Sequence, residues 1–461
     1  MTKSQIPALR PTAACLAVGL ILVMSSAAGA AVTGDRRVVS EPTLPTQLCA
    51  TLSPQPAAQS APAQQAQDTQ RLQAAIDACP AGQAIKLVAG NAGGRFVSGP
   101  LTIRSGVTLW LDRGVILAAV ADPQAYDRGS GTCGTIDTKG DGCRPFLLFQ
   151  KTQGAALVGD GLIDGQGGEV MAGGKETWWQ LARRAQSQGG KQNNPRLIQV
   201  DEGADIVFYR VTLRNAPNFH IILNRVKGAT LWGVRIDTPA DARNTDGIDP
   251  AGSQDVTIAH SFIRAGDDNI AIKGGSAPTR YVSIINTHLY WGHGLSIGSE
   301  TESGVSNVLV QNVTIDGATS GLRIKSDVSR GGLVTGIRYE NVCLRGNLRP
   351  IDFDTRYDKQ AHGSEIPVYR DILLRSVTGE TGTLVLRGYD AAHPLEVTFD
   401  GVRFDPKASW QIDNATLSVG QGGLTPPPPV KVLSAAQPSA PSDIASPPDC
   451  SARWLDFPET N

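Results

Sequence analysis

From about residue 206 the chain alternates apolar and polar positions in short runs, each followed by a few polar residues and a second short apolar run. Such runs begin near Ile206 (IVFYRVTL), Thr230 (TLWGVRI), Val256 (VTIAHSFI), Val282 (VSIINTHL), Val308 (VLVQNVTI), Ile337 (IRYENVCL), Ile372 (ILLRSV) and Leu395 (LEVTFDGV). Successive starts lie roughly 23 to 35 residues apart, the mark of a repeat architecture. Alternation with a period of two is that of a strand with one buried face. No amphipathic helical periodicity fills the intervals, so βαβ crossovers are excluded, and eight strands in an open sheet would leave unpaired edges. Coiling them into a parallel β-helix removes the edges, because each turn pairs with its neighbours above and below while inward Val, Ile and Leu form one core. Propellers and leucine-rich horseshoes fit less well, since neither a recurring Trp-Asp signature nor a leucine consensus is present.

Upstream, residues 84–88, 101–103, 107–111, 146–149 and 157–163 read as earlier coils of the same all-β solenoid. Residues 68–79 (DTQRLQAAIDAC) read as an N-terminal capping helix with Asp68 at the N-cap and Leu72, Ala75 and Ile76 on one face. Beyond about Gly420 the chain turns Pro-rich, and this tail is expected to be extended and poorly ordered except where Cys450 pins it. The organisation expected is a signal peptide over 1–30, a β-helix over 31–420 and a tail over 421–461.

Composition bounds the function. With 41% apolar and 18% charged residues among 461, the chain has material for a large core. Lys plus Arg total 42 against 43 Asp plus Glu, so whole-molecule charge implies neither a nucleic-acid nor a membrane-surface partner. Lys3 and Arg10, the apolar run 13–24 and the small residues Ala28-Gly29-Ala30 match a secretory signal, which predicts export, a mature start near Ala31 and no membrane attachment after cleavage. Cys15 leaves with the signal. Six cysteines then remain in an oxidising compartment, with Cys133–Cys143 and Cys49–Cys79 as candidate pairs. No clustered His and Cys spacing indicates a metal.

Three turns share a corner: Asp246 before Gly247-Ile248, Asp268 before Asn269-Ile270, and His293 before Gly294-Leu295, spaced by 22 and then 25 residues. Equivalent positions of a parallel β-helix stack ~4.8 Å apart, so two carboxylates and an imidazole converge. Asp267 adds a third carboxylate, and crowded like charges raise the pKa of at least one. In the next turn, Leu322 and Ile324 point inward and send Arg323 and Lys325 outward, where they can bind a substrate carboxylate. Such a set suits glycosidic cleavage, an acid protonating the leaving oxygen and a base activating water. Single aspartates at such corners, including Asp164, Asp249 and Asp316, read as turn residues.

The motifs Asn244-Thr245-Asp246, Gly266-Asp267-Asp268, Gly292-His293-Gly294 and Arg323-Ile324-Lys325, in that order, resemble those of polygalacturonases, glycoside hydrolase family 28. The flanking text (NTDGIDP, GDDNIAIK, GHGLSIGSET, GLRIKSD) is similar to the bacterial branch from about residue 36 to 420. The resemblance implies a right-handed parallel β-helix and endo-acting, inverting hydrolysis of galacturonan in pectin by a monomer without metal or organic cofactor. It implies that Asp267 is the general acid, that Asp246 and Asp268 hold and activate water, and that His293 supports the acid's protonation. Arg323, Lys325, Asn244 and Tyr357 would contact substrate. One tension is physical: aspartates on adjacent turns suggest a separation near the ~5 Å of retaining enzymes rather than the ~6.5–9.5 Å of inverting ones. The rivals are a pectate lyase, acting by elimination with Ca²⁺ and an arginine base, an exo-acting or rhamnogalacturonan-cleaving relative, and a non-catalytic carbohydrate-binding β-helix.

Overall fold

The computed structural model describes residues 1–2, 33–55, 61–91, 93–435 and 444–459, so the signal-peptide reading of 1–30 lies outside the described residues apart from Met1 and Thr2. The rest coils into a right-handed parallel β-helix. Each central coil contributes three short strands rather than the two runs expected from the sequence. One strip stacks Ala204–Tyr209, Lys227–Trp232, Gln254–Ala259, Thr279–Ile285 and Val305–Gln311. A second stacks Thr212–Arg214, Arg235–Asp237, Phe262–Arg264, His288–Tyr290 and Thr314–Asp316. The third strip is an 11-stranded all-parallel sheet from Leu101–Ile103 to Ser409–Asp413 in sequence order.

The extra corner explains the discrepancy. A run such as IVFYRVTL breaks at Arg210, whose φ is +67°, and the equivalent residues His260, Asn286, Asn312 and Asn341 also take left-handed backbone (φ +52°, +50°, +57° and +55°). Asparagine tolerates this conformation because its short amide bonds locally. Here the amides also bond one another up the stack: Asn312 donates to Asn286 at 3.0 Å, and Asn341 donates to Asn312.

Inward side chains stack in columns, and the column Ile248, Ile270, Leu295, Leu322, Ile351 is wholly buried. At the N-terminal end, helix α1 (Ala61–Ala78) packs Leu72 and Ile76 onto the core. It begins earlier than expected, so Asp68 is not its N-cap: the buried Asp68 carboxylate instead accepts the backbone N–H of Val97 at 3.2 Å and pairs with Arg71. A second helix, α2 (Trp178–Ser187), was not anticipated. Thr177 caps it through a reciprocal bond with Gln180, and Trp178, Leu181 and Ala185 are buried.

Three disulfides form: Cys49–Cys79, Cys133–Cys143 and Cys343–Cys450. The Pro-rich tail is held at many points besides Cys450. Strand pairing continues through Leu424–Thr425 and Leu433–Ser434, and residues 444–459 then run back down the stack. Thr378 bonds the Pro448 carbonyl, Arg453 donates to the Asn341 carbonyl at 2.9 Å, Arg345 lies 4.3 Å from the Trp454 ring, and Phe457 packs on Tyr290 and Arg264. Residues 33–41 form a comparable strap, with Gly34 on Asn307, Asp35 on Thr257, Arg36 on Asp255 and Glu41 on Tyr209.

Cys343–Cys450 spans 107 residues of sequence, and closing a loop of that size in the unfolded chain is worth about 2–5 kcal/mol. The double variant C343S/C450S is expected to lose that much in urea unfolding while leaving the groove described below unchanged, because that groove lies on another sheet; near-parental circular dichroism at 25 °C would accompany the loss.

Candidate active site

The groove is floored by six strands of the 11-stranded sheet: β1 (Ile221–Asn224), β2 (Ile248–Ala251), β3 (Ile270–Ile272), β4 (Leu295–Gly298), β5 (Ser320–Lys325) and β6 (Arg349–Asp354). Register sets what each coil offers. One outward column reads Asp249, Ala271, Ser296, Arg323, Asp352, and the next reads Ala251, Lys273, Gly298, Lys325, Asp354. Ala271, Ser296 and Gly298 are small, so the middle of the floor is open and charged side chains stand on either side of it. The result is a cavity of about 970 Å³ that all eight expected site residues line: Asn244, Asp246, Asp267, Asp268, His293, Arg323, Lys325 and Tyr357. Lys139, Lys191, Arg243 and Arg349 also line it, so a nearly neutral chain presents a locally cationic trough.

Asp268 is 2% exposed and fully engaged. Its Oδ1 accepts from Ser296 Oγ at 2.7 Å, its Oδ2 from Lys325 Nζ at 2.7 Å, and Arg323 stands 3.6 Å away. Arg323 also pairs with Asp352 at 3.4 Å, and both cations face the Tyr357 ring at 5.3 and 5.4 Å. Burial works to lower the Lys325 ammonium, but Asp268 outweighs it and holds Lys325 above its ordinary value.

Asp267 sits among donors. Its Oδ1 accepts from the Asp268 backbone N–H at 2.9 Å and faces His293 Nδ1 at 3.0 Å, while its Oδ2 meets the Asn244 backbone N–H at 3.3 Å. Asn244 takes φ +56° and is itself held by Gln192 Nε2 at 3.1 Å, from the wall built by the loop after α2. Burial pushes the Asp267 carboxyl up, yet His293, Lys325 and the backbone donor together hold it below its usual range.

Asp246 is the reverse. It is 4% exposed, its Oδ2 lies 3.4 Å from Lys273 Nζ and its Oδ1 has no partner. Burial first, then the charge of Asp249, raises its pKa well above that of an ordinary carboxylate. The raised carboxyl expected from crowding is therefore found at Asp246 rather than at the presumed acid, Asp267. Asp249, read from sequence as a turn residue, is fully buried, pairs with Lys273 at 2.7 Å and is pushed up to about 6, chiefly by burial. Alternation along β2 and β3 was the available signal for Asp249 and Lys273, since it places both on the face that carries Arg323 and Lys325.

Among the described residues, Asp267, Asp268 and His293 alone bring ligand-type atoms within 4.8 Å of one another. They do not fit a divalent ion, because Asp268 is already covered by Lys325, Arg323 and Ser296, which place cationic charge where an ion's would fall.

Carboxylates in opposed environments facing a groove that admits a chain are the equipment for hydrolysing glycosides, and on this fold they define a polysaccharide-cleaving enzyme. The sequence profile of glycosyl hydrolases family 28 matches residues 116–422. An endo-polygalacturonase of Pectobacterium carotovorum subsp. carotovorum is 43% identical over 405 residues, covering 87% of this chain and 97% of the relative. A polygalacturonase of Ralstonia solanacearum is 41% identical, covering 86% of this chain and 85% of its own. The solved polygalacturonase from Erwinia carotovora ssp. carotovora superposes with a TM-score of 0.79 at 43% identity, over 83% of this chain and 99% of that one. The chain belongs to glycosyl hydrolases family 28.

Under the site, His220 is fully buried; its Nδ1 donates to the Asp246 carbonyl at 3.0 Å and its Nε2 lies 2.7 Å from Thr238 Oγ1. Burial lowers its pKa from 6.5 to about 4. Between those values the unfolded chain binds a proton that the folded chain does not, so stability falls as pH drops through this window, by about 3 kcal/mol from this residue. His220→Gln retains an amide donor and an acceptor at this position and removes the titration. Urea unfolding from pH 6.5 to 4 should then fall less steeply in the variant; equal slopes would show that His220 is not the titrating group.

Proposed function

We propose that this enzyme is exported and cleaves internal α-1,4 bonds of polygalacturonan, the acidic backbone of pectin, with inversion at the anomeric carbon. The carrying observation is the meeting of Asp246, Asp267 and Asp268 beneath a trough whose cations match a polyanion, in a chain 43% identical to an endo-polygalacturonase across nearly all of that relative. Three disulfides fit an oxidising compartment.

Asp267 is the acid that protonates the leaving oxygen, and Asp246 with Asp268 holds and deprotonates the attacking water. Lys325 and Arg323 flank Asp268 and offer their remaining donors to galacturonate carboxylates, with Asn244 and Tyr357 bordering the same subsites. His293, Lys325 and the Asp268 backbone N–H favour the ionised form of Asp267 in the free enzyme, so its proton is taken up in the complex. An arriving substrate carboxylate adds negative charge and displaces water, both of which favour the protonated form. His293, at 3.0 Å, is the neighbour through which that proton is shared.

Replacing Asp267 by Asn should leave the fold intact and lower kcat on polygalacturonate by about 10²–10⁴-fold. A galacturonide with an activated aryl leaving group needs no proton and should recover much of the rate in D267N but not in D246N. Recovery in D246N instead would transfer the acid role to Asp246, the reading its raised pKa favours. For stereochemistry, proton NMR of the first-formed reducing ends should show the anomer opposite to the substrate linkage, and a retained α signal would refute inversion.

A further inference from the structure

Lys273 is not needed to grip a sugar, since Arg323 and Lys325 already supply cations to the groove, and yet its ammonium is enclosed. Its Nζ lies 2.7 Å from Asp249 Oδ2, 3.4 Å from Asp246 Oδ2 and 4.3 Å from the centroid of the Phe219 ring. Asp249 is fully buried, does not line the cavity and leaves its Oδ1 unpartnered, so it meets the groove through its contact with Lys273 and through its charge beside Asp246. Asp246 does line the cavity, with Oδ2 toward Lys273 and Oδ1 unclaimed.

We propose that Lys273 is a positioning residue for the hydrolytic water: with Asp249 it forms a buried charge pair that orients Asp246 and sets the pH at which Asp246 becomes a base. This rests on the reading of Asp246 as a water-activating carboxylate. Lys273 holds one Asp246 oxygen and leaves the other without a protein partner, available as the acceptor for water. Asp249 draws the same ammonium away and adds a like charge, so the two act on Asp246 in opposite directions. Around them stand Asp267 and Asp268 from the next coil, neutral His220 from the preceding coil, the Arg196 guanidinium near Asp249, and Glu300 beside Lys273 with its own partner Arg330. Lys325 and Arg323 are committed to Asp268 and do not replace Lys273. Burial already drives Asp246 toward its protonated form, and Lys273 is the charge that opposes this.

The test is the acid limb of the kcat/KM profile on polygalacturonate, which reports ionisation in the free enzyme. Lys273→Met removes a cation within 4 Å and should move that limb to higher pH by about 1–3 units, with kcat reduced and KM little changed. Asp249→Asn should move it to lower pH, because Lys273 then serves Asp246 alone. Lys273→Arg keeps the charge and should leave the limb near the parent's. Limbs that coincide in all three variants, with parental circular dichroism and melting, would overturn the proposal. Asp249→Asn leaves no buried charge unpaired and carries the test if Lys273→Met fails to fold. An active Asp246→Asn enzyme would instead remove the underlying reading of Asp246, a separate outcome.

Discussion

A side chain on a parallel stack cannot choose its neighbours: whatever occupies the same register one coil above and below lies ~4.8 Å away. Every other feature of this groove follows from that spacing. Inward positions are filled mainly by Ile, Leu, Val and Phe, because a polar atom there would be buried without a partner. Outward positions on the groove sheet become a grid on which charges are set down in fixed relation. Ala271, Ser296 and Gly298 leave the centre of the grid vacant, and that vacancy is the room a sugar needs.

The grid also explains how several like charges persist in one place. Carboxylates crowded in a partly dry cleft would neutralise themselves by taking up protons. Here each is treated differently: Asp268 is flanked by Lys325 and Arg323, Asp267 is surrounded by N–H donors, and Asp246 shares one buried lysine with Asp249. Three aspartates that are alike in sequence are thus given three different environments.

Much of this was legible beforehand. The repeat and the stacked corners bring Asp246, Asp268 and His293 together from positions 22 and 25 residues apart, and alternation alone sent Arg323 and Lys325 to the same face. The left-handed corners were not legible, because Arg210 or Asn286 inside an alternating run looks like an ordinary polar position. The Cys343–Cys450 bridge was hidden because its partners are 107 residues apart and meet only when the tail folds back. Lys273 and Asp249 passed unnoticed for a different reason. An aspartate close to a β-helix corner reads as a turn residue, and the pairing of β2 with the coil above shows that it is buried against a lysine.

The two straps give the stack a property that coil-on-coil pairing lacks. Solenoids held by nearest neighbours come apart from their ends, one unit at a time, like a zipper. In this molecule residues 34–41 touch coils from Asn307 back to Tyr209, and residues 448–457 touch coils from Thr378 back to Arg264. A single coil in that overlap cannot loosen without detaching a strap that holds several others. Asp267, Asp268 and His293 lie within this doubly bound stretch, while Asp246 and Lys325 flank it under one strap each, so fraying from either terminus meets a strap before it reaches the groove.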